Sequence, residues 1–177
     1  MLALAIAASD DRGAMDANRA RSIAERRHAD DREEDDVPLL RHVRRVASRT
    51  PGEARAVAWL HEVFKWTAVG EHELLTEGLT SDELRALRLL HRNGDSRSNR
   101  DYLAHLGLIA CSAGPAGHLA RALKIADLED RLLHPRVGSD GWSPPYARGL
   151  PLLLQAIDER RPAARPTLAT LEKEFEW

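Results

Sequence analysis

The sequence predicts an all-α protein, and three observations carry that expectation. Ala, Leu, Arg and Glu dominate, only eleven Gly and nine Pro interrupt 177 residues, and the longer segments space their apolar residues at three and four rather than two. At 43% apolar and 31% charged, the chain has room for a real core in one compact domain. Residues 18–160 read as that helical domain, with 1–17 a flexible N-terminal segment and 161–177 a C-terminal helical tail.

The elements follow from local signals. A first helix is expected from about Asn18 to His28, followed by Asp30 to Asp36, where six acids surround Arg32 in a solvated loop. Pro38 suits the first turn of a helix through Ala47, because that position needs no backbone N–H. After the turn at Thr50-Pro51-Gly52, residues Ala54 to Trp66 place Ala54, Val57, Ala58, Leu60 and Phe64 near one face, which predicts a single buried helix. Thr80 and Glu83 have capping-box spacing and start a helix from Ser81 to about Arg92. The polar stretch Asn93 to Ser98 ends it. Tyr102, Leu103, Leu106 and Ile109 mark the next stripe. Pro115 then opens a helix bearing Leu119, Leu123, Ile125, Leu128 and Leu132, with charge carried inward or along its edge. His134 to Pro145 reads as a long loop, and Pro151 to Arg160 and Thr167 to Phe175 as a terminal helical pair.

Composition excludes some functions. Twenty-six Lys and Arg against twenty-eight Asp and Glu leave a formal charge of -2, which disfavours non-specific nucleic-acid binding. The single Cys111 rules out an internal disulfide and a thiolate zinc cage, and a reducing cytoplasm is expected. Met1 to Ala8 is apolar, but it lacks a positive flank and is too short to span a bilayer, so neither export nor membrane insertion is expected.

Four residues stand out on apolar-striped helices: His42, the adjacent His61 and Glu62, and Asp127. Imidazole and carboxylate together suit a divalent transition metal with positions left for water and substrate. Histidines and acids on separate helices also meet for purely structural reasons, so spacing leaves both readings open.

Ordered sequence words add to this. His28-Ala29 is followed by Pro38-Leu39-Leu40-Arg41-His42 and Arg45-Val46-Ala47. Ala56-Val57-Ala58-Trp59-Leu60-His61-Glu62-Val63, then Leu74-Leu75 and Glu77-Gly78-Leu79, and finally Ala120 to Asp130 (ARALKIADLED) complete the series. Over about His28 to Leu133 the chain resembles the HD-domain phosphohydrolases, and within them the small proteins related to the hydrolase domain of RelA/SpoT. The resemblance implies an HD-domain-like helical bundle in which His42, His61, Glu62 and Asp127 hold a divalent metal, usually Mn²⁺. It also implies hydrolysis of a phosphorylated small molecule or nucleotide, guanosine polyphosphates first.

The departures are specific. Glu62 stands where the family has Asp, which moves the carboxylate one methylene outward. Lys65 and Trp66 replace the Glu-Asp pair that supports the attacking water, so no general base can be named. Trp66 would fill space beside the pocket. Glu33 and Glu34 replace basic residues of the nucleotide loop, Leu39 replaces Tyr, and Arg131 replaces Asn. Lys124 and Arg131, at i−3 and i+4 from Asp127, are candidate phosphate ligands or, alternatively, ion-pair partners of that carboxylate. His72, His91, His105 and His118 lack paired ligand spacing, and Ser112 lacks the turn motif of a nucleophilic serine. The rival to an enzyme is a catalytically degenerate HD-like binding or regulatory protein, with an effector-type partner protein a further alternative.

Overall fold

The computed structural model describes residues 13–33, 36–92, 98–135 and 143–158. They form helices α1 (Ala17–Arg27), α2 (Leu39–Arg49), α3 (Arg55–Leu60), α4 (Val63–Trp66), α5 (Glu71–Thr76), α6 (Ser81–Leu90), α7 (Asn99–Cys111), α8 (Gly114–Leu133) and α9 (Ser143–Asp158), with a 3₁₀ turn at Gly52–Ala54. There is no strand among the described residues; one isolated bridge pairs Arg32 with Pro38. The all-α expectation holds.

α8 is the centre of the arrangement. Its twenty residues run about 30 Å, and it packs against α2, α3, α6, α7 and α9, while α1 and α2 both pack on α3. Leu123 and Leu128 of α8, Leu39 of α2, Leu60 of α3, Leu106 of α7 and Leu153 of α9 are fully buried, and each such side chain contributes about 1.5–3 kcal/mol over exposure. α8 also carries charge inward, with Arg121, Asp127 and Asp130 buried. Its start lies close against the preceding turn: a Cβ on Gly117 would overlap the Ser112 carbonyl.

The capping box at Thr80 and Glu83 forms as expected. Glu83 does more than cap, because its buried carboxylate also accepts from the Met15 N–H at 3.0 Å and so joins the entry of α1 to α6. Asp16 caps α1 through the N–H groups of Asn18 and Arg19.

Three elements differ from the sequence expectation. The single helix over Ala54 to Trp66 is broken at His61 and Glu62 into α3 and α4. His61 Nδ1 donates to the Ala58 carbonyl at 2.7 Å, the acceptor that a continuous helix would offer to the Glu62 N–H. α5 is an additional helix whose shortness hides its period. Gly78, at φ 103°, closes it: Leu79 N–H bonds to Leu74 C=O and Gly78 N–H to Leu75 C=O, the pairing of a left-handed helix end. The loop over His134 to Pro145 ends early, since α9 begins at Ser143; Pro144 and Pro145 fall in its first turn, where proline is tolerated, and Pro151 lies inside it. The N-terminal segment to residue 12, the polar stretch after Arg92, Trp142 and the tail beyond Asp158, with its expected helix at Thr167 to Phe175, lie outside the described residues.

Candidate metal centre

The helix break between α3 and α4 faces α2 and α8 and forms a polar site within the bundle. His42 comes from α2, His61 and Glu62 from the break, and Lys124, Asp127, Asp130 and Arg131 from one face of α8. His42, Glu62, Asp127 and Asp130 are all at most 5% exposed.

The tautomers are set by the partners. The Ala58 carbonyl can only accept, so His61 carries its proton on Nδ1. His42 Nδ1 donates to Asp130 Oδ2 at 2.8 Å, and Asp130 is held ionised by Arg45 at 2.8 and 2.9 Å and Arg49 at 2.5 Å. Each ring therefore turns its Nε2 inward, and the two nitrogens face one another at 3.2 Å. Glu62 Oε1 lies 3.8 Å from His42 Nε2 and 3.7 Å from His61 Nε2. These three donor atoms all lie within 4.8 Å of one another. Adjacent ligands of an octahedral cation with bonds of about 2.1 Å stand about 3 Å apart, so this separation and this N,N,O chemistry fit a divalent transition metal.

Of the four expected ligands, His42, His61 and Glu62 are thus brought together, and Asp127 joins at the edge, its Oδ1 3.3 Å from His42 Nε2. The reason is Arg131. Its guanidinium lies between the two carboxylates, with Nε 2.9 Å from Asp127 Oδ1 and Nη2 2.8 Å from Glu62 Oε1 and 3.1 Å from His42 Nε2. Nη1 points toward Glu33, 3.9 Å away on the loop before α2. Lys124 donates to Asp127 Oδ2 at 2.7 Å. Both candidate phosphate ligands therefore form the ion pairs that their spacing allowed.

The outer oxygen of Glu62 is also engaged. Trp66 Nε1–H donates to Oε2 at 3.0 Å and Lys65 Nζ lies 3.5 Å from it. The longer side chain of Glu62 thus folds back toward the histidines with one oxygen, and the indole packs beside the site, as its position predicts.

Burial and pairing fix the charges. Burial, opposed in part by Glu62, lowers the His61 pKa to about 4, so its ring is neutral at pH 7. Burial raises the Glu62 carboxyl, but the surrounding cations, Lys65 first and Arg131 among them, outweigh it and hold the group ionised well below the usual range. Asp127 is likewise held low against burial by Lys124 and Arg131. The same pairings raise Lys124 and Arg131 against their own desolvation.

The other sequence candidates stay apart. His72 is exposed, His91 packs edge-on against Phe64, and His118 approaches Glu53 at the surface. Ser112 Oγ donates to the Leu108 carbonyl, a helix-end contact. Sequence reasoning missed Asp130, the acceptor that orients His42, with Arg45 and Arg49 behind it. Its signal was the i,i+3 spacing from Asp127, which puts both carboxylates on the same face of α8.

No family model and no curated protein matches the chain. Among the described residues, no helix is long and apolar enough to cross a membrane.

Proposed function

We propose that this protein is a divalent-cation-dependent phosphohydrolase of the HD class, with Mn²⁺ its first candidate metal and a phosphorylated small molecule or nucleotide its substrate. The observation that carries this reading is the pair of imidazole Nε2 atoms, from His42 and His61, facing each other at 3.2 Å beside an ionised Glu62. Two imidazole nitrogens and a carboxylate oxygen so placed inside a buried site offer the donor set that suits a divalent transition metal. His42, His61, Glu62 and Asp127 would hold it, and the cation would supply Lewis-acid activation of water and of the phosphoryl group. Arg131 and Lys124 would orient the phosphate.

A second reading, an HD-like binding or regulatory protein without turnover, is favoured by the bonds from Arg131 to Asp127, His42 and Glu62 and by Trp66 and Lys65 at the position of the acidic pair. The two readings separate in a turnover assay on chelator-stripped protein reloaded with Mn²⁺. The panel holds phosphomonoesters, nucleoside polyphosphates and guanosine polyphosphates. The enzyme reading expects release of phosphate or pyrophosphate that His61→Ala abolishes. No release by folded, Mn²⁺-loaded protein sinks it in favour of the second reading.

A further inference from the structure

We propose that Arg131 couples cation binding to phosphate binding: its guanidinium closes the site with the protein's own charge, and a divalent cation entering among His42, His61 and Glu62 turns it outward to a phosphoryl group. This rests on the metal reading above and adds the order and linkage of loading.

The geometry sets up a competition. Arg131 Nη2 engages Glu62 Oε1 and His42 Nε2, two of the three atoms a cation would take, and Nε engages Asp127, the remaining candidate ligand. A guanidinium does not deprotonate in a protein, so it cannot hold these contacts beside a bound divalent ion. His61, by contrast, makes none of its hydrogen bonds to Arg131; its Nε2 faces His42.

Charge balance then links the two ligands. Glu62, Asp127 and Glu33 carry three negative charges, and Arg131, Lys124 and Lys65 carry three positive ones, so the closed site is neutral. A divalent cation added to this set leaves a surplus of two positive charges at a site where Arg131 and Lys124 are only 12% and 13% exposed. A phosphoryl dianion cancels that surplus and gives the displaced fork a bidentate partner. Cation alone must break three Arg131 contacts without replacement, and phosphate alone finds the guanidinium taken. Each ligand therefore raises the affinity of the other by one shared factor.

The test is a Mn²⁺ titration of the full chain, following free Mn²⁺ by electron paramagnetic resonance, with and without inorganic phosphate. Association of Mn²⁺ with phosphate in buffer is subtracted. Wild type is expected to bind Mn²⁺ at least about tenfold more tightly in phosphate. Arg131→Gln is expected to bind Mn²⁺ alone more tightly than wild type does and to lose the phosphate effect. Arg131→Lys keeps a charge against the two buried carboxylates, which protects folding, but cannot span Asp127 and Glu62. It is expected to shift in the same direction by about threefold or more. The proposal is overturned if phosphate leaves wild-type affinity unchanged, or if both variants match wild type in affinity and coupling. Absence of Mn²⁺ binding to all three proteins is a different result, which removes the metal reading itself.

Discussion

Replacing Asp130 with Ala isolates the residue that orients His42. The Asp130 side chain is 1% exposed and accepts from His42 Nδ1, twice from Arg45 and once from Arg49. Without it, Arg45 and Arg49, 29% and 34% exposed, turn to water at little cost. His42, 2% exposed, cannot do so, and its orphaned Nδ1–H costs about 1–3 kcal/mol. With the charge-assisted bonds included, the loss should reach about 3–5 kcal/mol, the range for removing one partner of a buried pair. Arg45→Ala leaves Asp130 with Arg49 and His42 and should cost about 1 kcal/mol. Asp130→Asn keeps an acceptor for Nδ1–H and should fall between them. Urea unfolding followed by far-ultraviolet circular dichroism measures all three, and the imidazole nitrogen shifts report whether His42 keeps its proton on Nδ1. Asp130→Ala within about 1 kcal/mol of wild type, or no more costly than Arg45→Ala, would show that Asp130 does not hold the His42 ring in place.

Acidification should destabilise the fold in two intervals. His61, facing His42 from α2, Asp127 from α8 and Glu62, protonates near pH 6.5 when unfolded but only near 4 when folded, so up to about 3 kcal/mol is lost as pH falls between those values. Glu62, Asp127 and Asp130, all held below their ordinary range, then remove more stability below about pH 4. Unfolding free energy measured against pH should show both intervals, and His61→Gln should flatten the first. Gly117→Ala should lose about 1–3 kcal/mol because the added methyl meets the backbone carbonyl of Ser112. Gly149→Ala, where the added methyl overlaps only the tip of the Leu106 side chain and touches Leu128 at ordinary contact distance, should lose less in the same denaturation assay. The double change Lys65→Glu and Trp66→Asp should raise Mn²⁺-dependent phosphate release by restoring an acidic pair beside Glu62; unchanged release by Mn²⁺-loaded protein would show that loss of that pair does not limit turnover.

How much of this was legible in the sequence differs by element. The helices around Ile23, Leu87 and Leu123 are long enough for their apolar period to show, with a capping box at Thr80 for the second and Pro115 in the first turn of the third, and their positions follow from the chain alone. The break at His61 was hidden because the apolar stripe continues across it; a side-chain bond to the Ala58 carbonyl, which no periodicity encodes, sets the interruption. The start of α9 was hidden by Pro144 and Pro145, whose usual meaning as a loop reverses in a first helical turn. At the site, His42, His61 and Glu62 were readable as donors, and Lys124 and Arg131 as charges on the face of Asp127. That Arg131 reaches past Asp127 to Glu62, and that Asp130 turns the His42 ring, depends on the approach of α2 and the α3–α4 break to α8. Sequence separations of 69 and 88 residues lie between those partners, beyond the reach of local pattern.

The most direct test of the metal centre is calorimetric titration of chelator-stripped protein with Mn²⁺, comparing wild type with His61→Ala, which removes a donor without touching Arg131, and with circular dichroism showing both to be helical. A metal centre at these residues gives saturable binding to wild type that weakens by at least about tenfold in the variant. Equal affinity in two folded proteins, or none in either, would contradict it.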